Sequence, residues 1–245
     1  MSHDALLNVN QVVKRFGGFT ALNGVSLSLN KGEILGLVGP NGSGKTTCIN
    51  VISGLYSPDG GDVSFHGRSL GRTPMFRRAQ HGINRTFQIP KPFKALTVRE
   101  NVEVAGAYVG QRKRIVDDPV DFVGLSAFAD GSASSLTSGQ QKMLDLARAL
   151  STGPELLLVD ELAAGLNPQE LDSVARKLMF LASQGVAMIV VEHMMGFVNQ
   201  LTQHVIVMNA GREIFEGTLS AAAKDPQVTA VYLGQSEVGA GDGRH

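Results

Sequence analysis

Gly39-Pro40-Asn41-Gly42-Ser43-Gly44-Lys45-Thr46 fits the phosphate-binding pattern G-x-x-x-x-G-K-[ST]. Glycines let consecutive backbone N–H groups curl around a polyphosphate, where a Cβ would obstruct either the turn or the approach. The apolar run Ile34-Leu35-Gly36-Leu37-Val38 leads into the loop, and a helical pattern follows Lys45 and ends near Gly54. That context, a buried strand, then the loop, then a helix, is the one the pattern requires. The helix contributes its unpaired amides and the positive end of its dipole to the same anion. Lys45 is placed to reach the outer phosphates and the Thr46 hydroxyl to ligate Mg²⁺.

Working outward, Val25, Leu27 and Leu29 alternate with Ser26, Ser28 and Asn30, the pattern of a half-buried strand. Leu156-Leu157-Leu158-Val159 and Met188-Ile189-Val190-Val191 are short apolar runs suited to central strands covered on both faces. Val205-Ile206-Val207-Met208 turns at Asn209-Ala210-Gly211 toward Ile214 and Phe215, which predicts a hairpin. Helical periodicity covers Gln140 to Leu150 and Glu170 to Ala182. Strands alternating with helices predict one α/β domain around a mainly parallel sheet. The stretch from about Pro90 to Ser138 lacks strand runs and is expected to be a mostly helical insertion, and the glycine-rich tail from Gln235 is expected to fray.

Lys+Arg and Asp+Glu both number 22, so the net charge of zero gives no general attraction to nucleic acid or anionic lipid. The basic clusters Arg77-Arg78 and Arg112-Lys113-Arg114 are each expected to be a solvated helix face or loop. The single cysteine, Cys48, suits a reducing compartment. No secretory signal is visible at the N-terminus, and no apolar run approaches the ~18 residues needed to cross a bilayer. Any membrane association is therefore expected to go through a partner.

A phosphate loop alone leaves kinase, GTPase and ATPase open. Leu156 to Val159 ends in Asp160-Glu161, which puts two acids at the C-terminal edge of a buried strand, beside the site. Asp160 suits a role in holding Mg²⁺ through water, and Glu161 one as general base. On its own, a strand ending in Asp-Glu serves equally well as a plain cap.

Leu136-Thr137-Ser138-Gly139-Gln140 narrows the choice. Here the chain resembles the ABC ATPase family, whose signature at this place reads Leu-Ser-Gly-Gly-Gln. The resemblance covers nearly the whole chain, with the motifs in the family's order. It implies a P-loop NTPase fold with an N-terminal antiparallel β subdomain, one domain over 1–234, and a helical subdomain at about 90–138. It also implies ATP and Mg²⁺ as ligands, with Gly39, Pro40, Asn41, Gly42, Ser43, Gly44, Lys45, Thr46 and Thr47 around the phosphates. In the family two domains meet head to tail. Thr137, Ser138, Gly139 and Gln140 would then bind the γ-phosphate held by the partner's loop, an anion at a helix N-terminus in trans.

Further roles follow from the same resemblance. His193, in Val191-Glu192-His193, matches the switch histidine that contacts the γ-phosphate and helps position the water. Gln88, in Arg85-Thr86-Phe87-Gln88, looks like the residue that contacts Mg²⁺ and water, with Ile89 to Phe93 near a groove for a permease helix. Phe16 matches the aromatic that stacks on adenine, although simple core packing is the alternative for such a residue. Ala164-Gly165-Leu166-Asn167-Pro168 matches the loop that contacts the partner's site. The implied catalytic set is Glu161, His193, Gln88 and Lys45, and the implied metal set is Thr46, Gln88 and Asp160.

Phe16-Gly17-Gly18 with Ala21-Leu22, Ala163 to Pro168, and Val231-Tyr232-Leu233-Gly234 resemble the ATPases of branched-chain amino-acid importers and close relatives. Urea and short-amide importers and the lipopolysaccharide-export ATPase share parts of this pattern, so the implied activity is ATP hydrolysis powering import of branched-chain amino acids or a related small polar solute. The implied partners are a second ABC ATPase subunit, transmembrane permease subunits and, indirectly, a solute-binding protein, with no nucleic acid. The implied place is peripheral, on the cytoplasmic side of the cell membrane. Two positions depart from the family pattern. Ser138 replaces a glycine, and Leu162 stands where proline usually follows the acidic pair. They leave open a weakened, regulatory nucleotide-binding subunit. A soluble ABC ATPase of translation or repair, the other alternative, would carry tandem domains or long coiled coils.

Overall fold

The computed structural model describes residues 5–109 and 112–238. Its chain order is β1 (Leu7–Phe16), β2 (Phe19–Leu29), β3 (Ile34–Val38), α1 (Lys45–Ser53), β4 (Gly60–Phe65), β5 (Arg68–Ser69), α2 (Met75–Gln80) and β6 (Ile83–Arg85). Then come α3 (Val98–Tyr108), α4 (Pro119–Phe122), α5 (Ser138–Ser151), β7 (Leu156–Asp160), α6 (Pro168–Ser183) and β8 (Ala187–Val191). The last elements are α7 (Met195–Leu201), β9 (His204–Asn209), β10 (Arg212–Gly217), α8 (Leu219–Ala222) and α9 (Pro226–Val238).

The strands form two sheets. One is antiparallel, in the order β2-β1-β4-β5, and the other runs β10-β9-β3-β8-β7-β6. In the second, β9, β3, β8, β7 and β6 are mutually parallel and only β10 is antiparallel to its neighbour β9. This is the expected mainly parallel sheet beside an antiparallel β layer.

The apolar runs are buried because both faces of the parallel sheet are covered. On β7, Leu156 and Leu158 pack toward the antiparallel sheet and α1, while Leu157 and Val159 pack toward α5 and α6. Ile189 and Val191 of β8 join the first cluster and Met188 and Val190 the second. Period-2 alternation within a continuous apolar run thus supplies two cores at once. Loops at the carboxyl ends of β3, β7 and β8 gather at one edge, where ligands bind in open α/β sheets.

The insertion carries α3 and α4, which pack on α5. Its one strand-like feature among the described residues is an isolated bridge from Thr97 to Ser132. Thr97 caps α3, accepting from the Glu100 amide while the Glu100 carboxylate accepts from the Thr97 amide. Toward the C-terminus, α9 continues to Val238, past the point where the tail was expected to begin; residues 239–245 lie outside the described residues.

One expectation is corrected. Arg78 is not a solvated charge but is fully buried, and it donates to the carbonyls of Val51, Ile52, Gly71 and Thr73. Burial without a carboxylate partner in contact pushes its pKa down to about 10. Two of those carbonyls belong to the last turn of α1, so the guanidinium serves as its C-terminal cap, where a cation is favoured. Arg112 is also engaged, paired with Glu155 at 2.6 Å.

Candidate functional site

The phosphate loop joins β3 to α1, and its shape demands glycine at two positions. Gly39 has φ +145, and a Cβ there would lie 2.2 Å from the Met208 carbonyl oxygen. Gly44 has φ +107, with a Cβ 2.8 Å from the Ala21 carbonyl oxygen. Both values are too short for any side chain, so the loop is pressed between β2 and the end of β9. Lys45 Nζ donates to the Gly39 and Pro40 carbonyls at 2.8 Å each, which holds the ammonium over the loop. Burial lowers the Lys45 pKa, opposed by the nearby Glu161 and Asp160 carboxylates.

A cleft of about 350 Å³ is lined by Asn41 to Thr47 together with Phe19, Ala21, Gln88, Glu161 and His193. Glu161 follows β7 and sits with both carboxylate oxygens engaged. Gln88 Nε2 donates to Oε2 at 2.6 Å, and His193 Nε2 lies 2.7 Å from Oε1. Two residues from separate places in the chain thus converge on one carboxylate beside the loop. Glu161 is held at φ +49, a left-handed conformation that is uncommon for a residue with a side chain.

Asp160 is only 2 % exposed, beneath that cleft. Burial raises its pKa, opposed by Arg85 and reinforced by Glu161. Arg85 donates to Oδ2 at 3.1 Å, while Oδ1 is buried with no hydrogen-bond partner among the described residues. A buried carboxylate oxygen without a partner among the described residues, within electrostatic reach of Lys45, is a hard oxygen donor of the kind that Mg²⁺ takes.

The signature residues stand apart from this cleft. Thr137 caps α5 in a reciprocal box. Its hydroxyl accepts from the Gln140 amide, and Gln140 Oε1 accepts from the Thr137 amide at 2.9 Å. The box starts the helix at Ser138, two residues before the periodicity begins, and leaves the first amides of α5 without intrahelical partners. Gly139 and Gln140 line a separate pocket with Leu166, Glu170 and Lys177. Phe16 also stays off the cleft. It is 42 % exposed, with its ring edge-on to Tyr56 at 5.1 Å, so it is not a core residue.

Several residues at the site escaped the sequence reading. Phe19 pairs with Phe16 across the β1–β2 turn and lines the cleft. Arg85 joins three elements, donating to Asn50 of α1 at 2.5 Å as well as to Asp160, and it packs its guanidinium over Phe87 at 4.6 Å. Asp145 of α5 accepts from the Phe87 amide at 2.7 Å, which ties the Gln88 segment to α5. The available signal was the run Arg85-Thr86-Phe87-Gln88, of which only Gln88 was assigned chemistry.

Comparison with known proteins places the chain in a family and supports the fold. A family model described as "ABC transporter" matches residues 22–164. The probable branched-chain amino acid transport ATP-binding protein LivG of Archaeoglobus fulgidus is 37% identical, over 95% of this chain and 96% of the relative. The high-affinity branched-chain amino acid transport ATP-binding protein BraF of Pseudomonas aeruginosa is 34% identical, over 94% and 98%. Among solved structures, a nucleotide-free ATP-binding cassette from an ABC transporter superposes with TM-score 0.84 and 32% identity, covering 93% of this chain and 98% of that one. A second cassette, in its ADP conformation, gives TM-score 0.83 and 33% identity, covering 94% and 99%.

Proposed function

The chain belongs to the ABC transporter family, as an ATPase subunit, and from that premise we propose how its cleft hydrolyses ATP and what the hydrolysis drives. The observation that carries the mechanism is Glu161, oriented by Gln88 and His193 at the rim of the phosphate loop. With both its oxygens held, the carboxylate accepts a proton from a water aligned behind the γ-phosphorus. The water oxygen bonds to that phosphorus as the bond to the bridging oxygen breaks, giving ADP and inorganic phosphate. The loop amides and Lys45, which exchanges its loop carbonyls for phosphate oxygens, stabilise the charge that develops on the phosphoryl group. Thr46, Gln88 and Asp160 would hold Mg²⁺, which when bound neutralises phosphate charge. Phe16, with Phe19 beside it, supplies an aromatic face for adenine.

A second ABC ATPase subunit, identical or paralogous, completes the site by presenting the α5 start at Thr137 to Gln140. The separation of those residues from the cleft within one chain supports this reading. ATP then bridges two protomers, and hydrolysis removes the bridge. Among the described residues no helix is long and apolar enough to cross a membrane. Coupling to transport passes through permease subunits at the cytoplasmic face, a reading supported by the relatives' names as transport ATP-binding proteins. The relatives' role in branched-chain amino acid transport supports import of that class of solute, with a solute-binding protein delivering it.

Glu161→Gln tests the mechanism. ATP should bind with unchanged affinity, while turnover falls by about 10²-fold or more. Near-normal turnover would remove Glu161 from its role.

A further inference from the structure

The turn that carries Glu161 is held from below by two buried charges that the hydrolytic reading does not use. Lys142, on the second turn of α5, is 7 % exposed, and Glu192, between β8 and His193, is 2 % exposed. Lys142 Nζ donates to the Glu161 carbonyl and to the Ala164 carbonyl, each at 2.7 Å. Glu192 Oε1 accepts from the Ala163 amide at 2.7 Å. The Glu161 amide donates to the Val191 carbonyl at 3.0 Å. Both polar groups of the Glu161 backbone are therefore occupied.

A buried ammonium would ordinarily be expected to face a carboxylate directly. Here two of its three donors go to backbone carbonyls on either side of one turn. Burial lowers the Lys142 pKa, opposed by Glu192 and then Glu161, so the neighbouring acids help retain the cation. The turn needs such a restraint. Glu161 lies at φ +49, and a left-handed residue with a side chain persists only where its surroundings over-determine it. Without Lys142 the Glu161 peptide can rotate back, and its carboxylate leaves the position between Gln88 and His193.

We propose that Lys142 is a positioning residue for hydrolysis, fixing the backbone of Glu161 so that its carboxylate stays aligned with the attacking water. Because Lys142 sits on α5, a shift of that helix also reaches Glu161 through a single side chain. The inference rests on the reading of Glu161 as the group that activates water.

Lys142→Met keeps the apolar stem and removes the donors. ATP affinity, measured with a fluorescent analogue, should stay within about threefold of the parent, while kcat falls by about thirtyfold or more. Lys142→Arg, which can reach two carbonyls, should recover most of the loss. A Lys142→Met protein with kcat within about twofold of the parent overturns the proposal, as does a fall in affinity that accounts for the whole loss. Should Lys142→Met fail to fold, Lys142→Arg and Lys142→Gln decide between them. At equal ATP affinity the arginine variant must turn over faster, and equal rates overturn the proposal. Glu161→Gln separates the two layers. If it hydrolyses ATP normally, both readings fall; if it is inert while Lys142→Met is unimpaired, only the role of Lys142 falls.

Discussion

The phosphate loop and the start of α5 both offer helix N-terminal amides to an anion, yet the chain surrounds only one of them with chemistry. Around α1, Gln88, Glu161 and His193 arrive from three places and meet beside Lys45. Around α5, Thr137 and Gln140 bond to each other, and the neighbouring pocket holds Leu166, Glu170 and Lys177. A helix N-terminus binds anions by itself. In the proposed mechanism the α1 start becomes a reaction centre because strand ends bring Asp160, Glu161 and His193 to it. Among the described residues the start of α5 has no such delivery within its own chain, and in the proposed mechanism it is lent to another copy.

Glycine substitutions break this comparison most sharply. Gly39→Ala should abolish ATP binding and destabilise the fold by about 3 kcal/mol or more, since its Cβ would meet the Met208 carbonyl at 2.2 Å. Gly139→Ala, whose Cβ would come 3.1 Å from the end of the Leu166 side chain, should leave folding and ATP binding intact and lower turnover alone. Equilibrium unfolding and nucleotide titration distinguish the two. Next in size is Arg85→Met. It leaves the buried Asp160 carboxylate without its cation, and the expected loss is about 3–5 kcal/mol in urea unfolding. Smallest is Ser138→Gly, which removes a Cβ from the amides offered in trans. Turnover should rise by about threefold with ATP affinity unchanged, at a cost of no more than about 0.5 kcal/mol in helix stability. No change in turnover would mean that the Ser138 side chain does not obstruct the approach.

Much of the fold was legible because β3, β7 and β8 are buried on both faces and so read as continuous apolar runs. The first strand was harder. β1 carries Asn8, Asn10 and Gln11, and its register shifts against β2 disturb the alternation. β6 has three residues, too few for any period to register. At the site, the loop and the Asp160-Glu161 tip were legible from composition and spacing. Gln88, His193 and the signature came from resemblance rather than from any local pattern. Arg78, Arg85, Lys142 and Glu192 stayed hidden for a common reason. Each is a charged residue bonded inside the protein, whereas sequence patterns assign charge to solvent. Their partners are mainly backbone carbonyls and amides, or an acid far along the chain, and no sequence spacing marks those.

The claim that a second protomer completes the cleft is tested most directly by sedimentation of the Glu161→Gln protein with ATP and Mg²⁺. The account predicts a shift from one 26.0 kDa chain to two, absent with ADP. A single-chain species with ATP bound to saturation would contradict it.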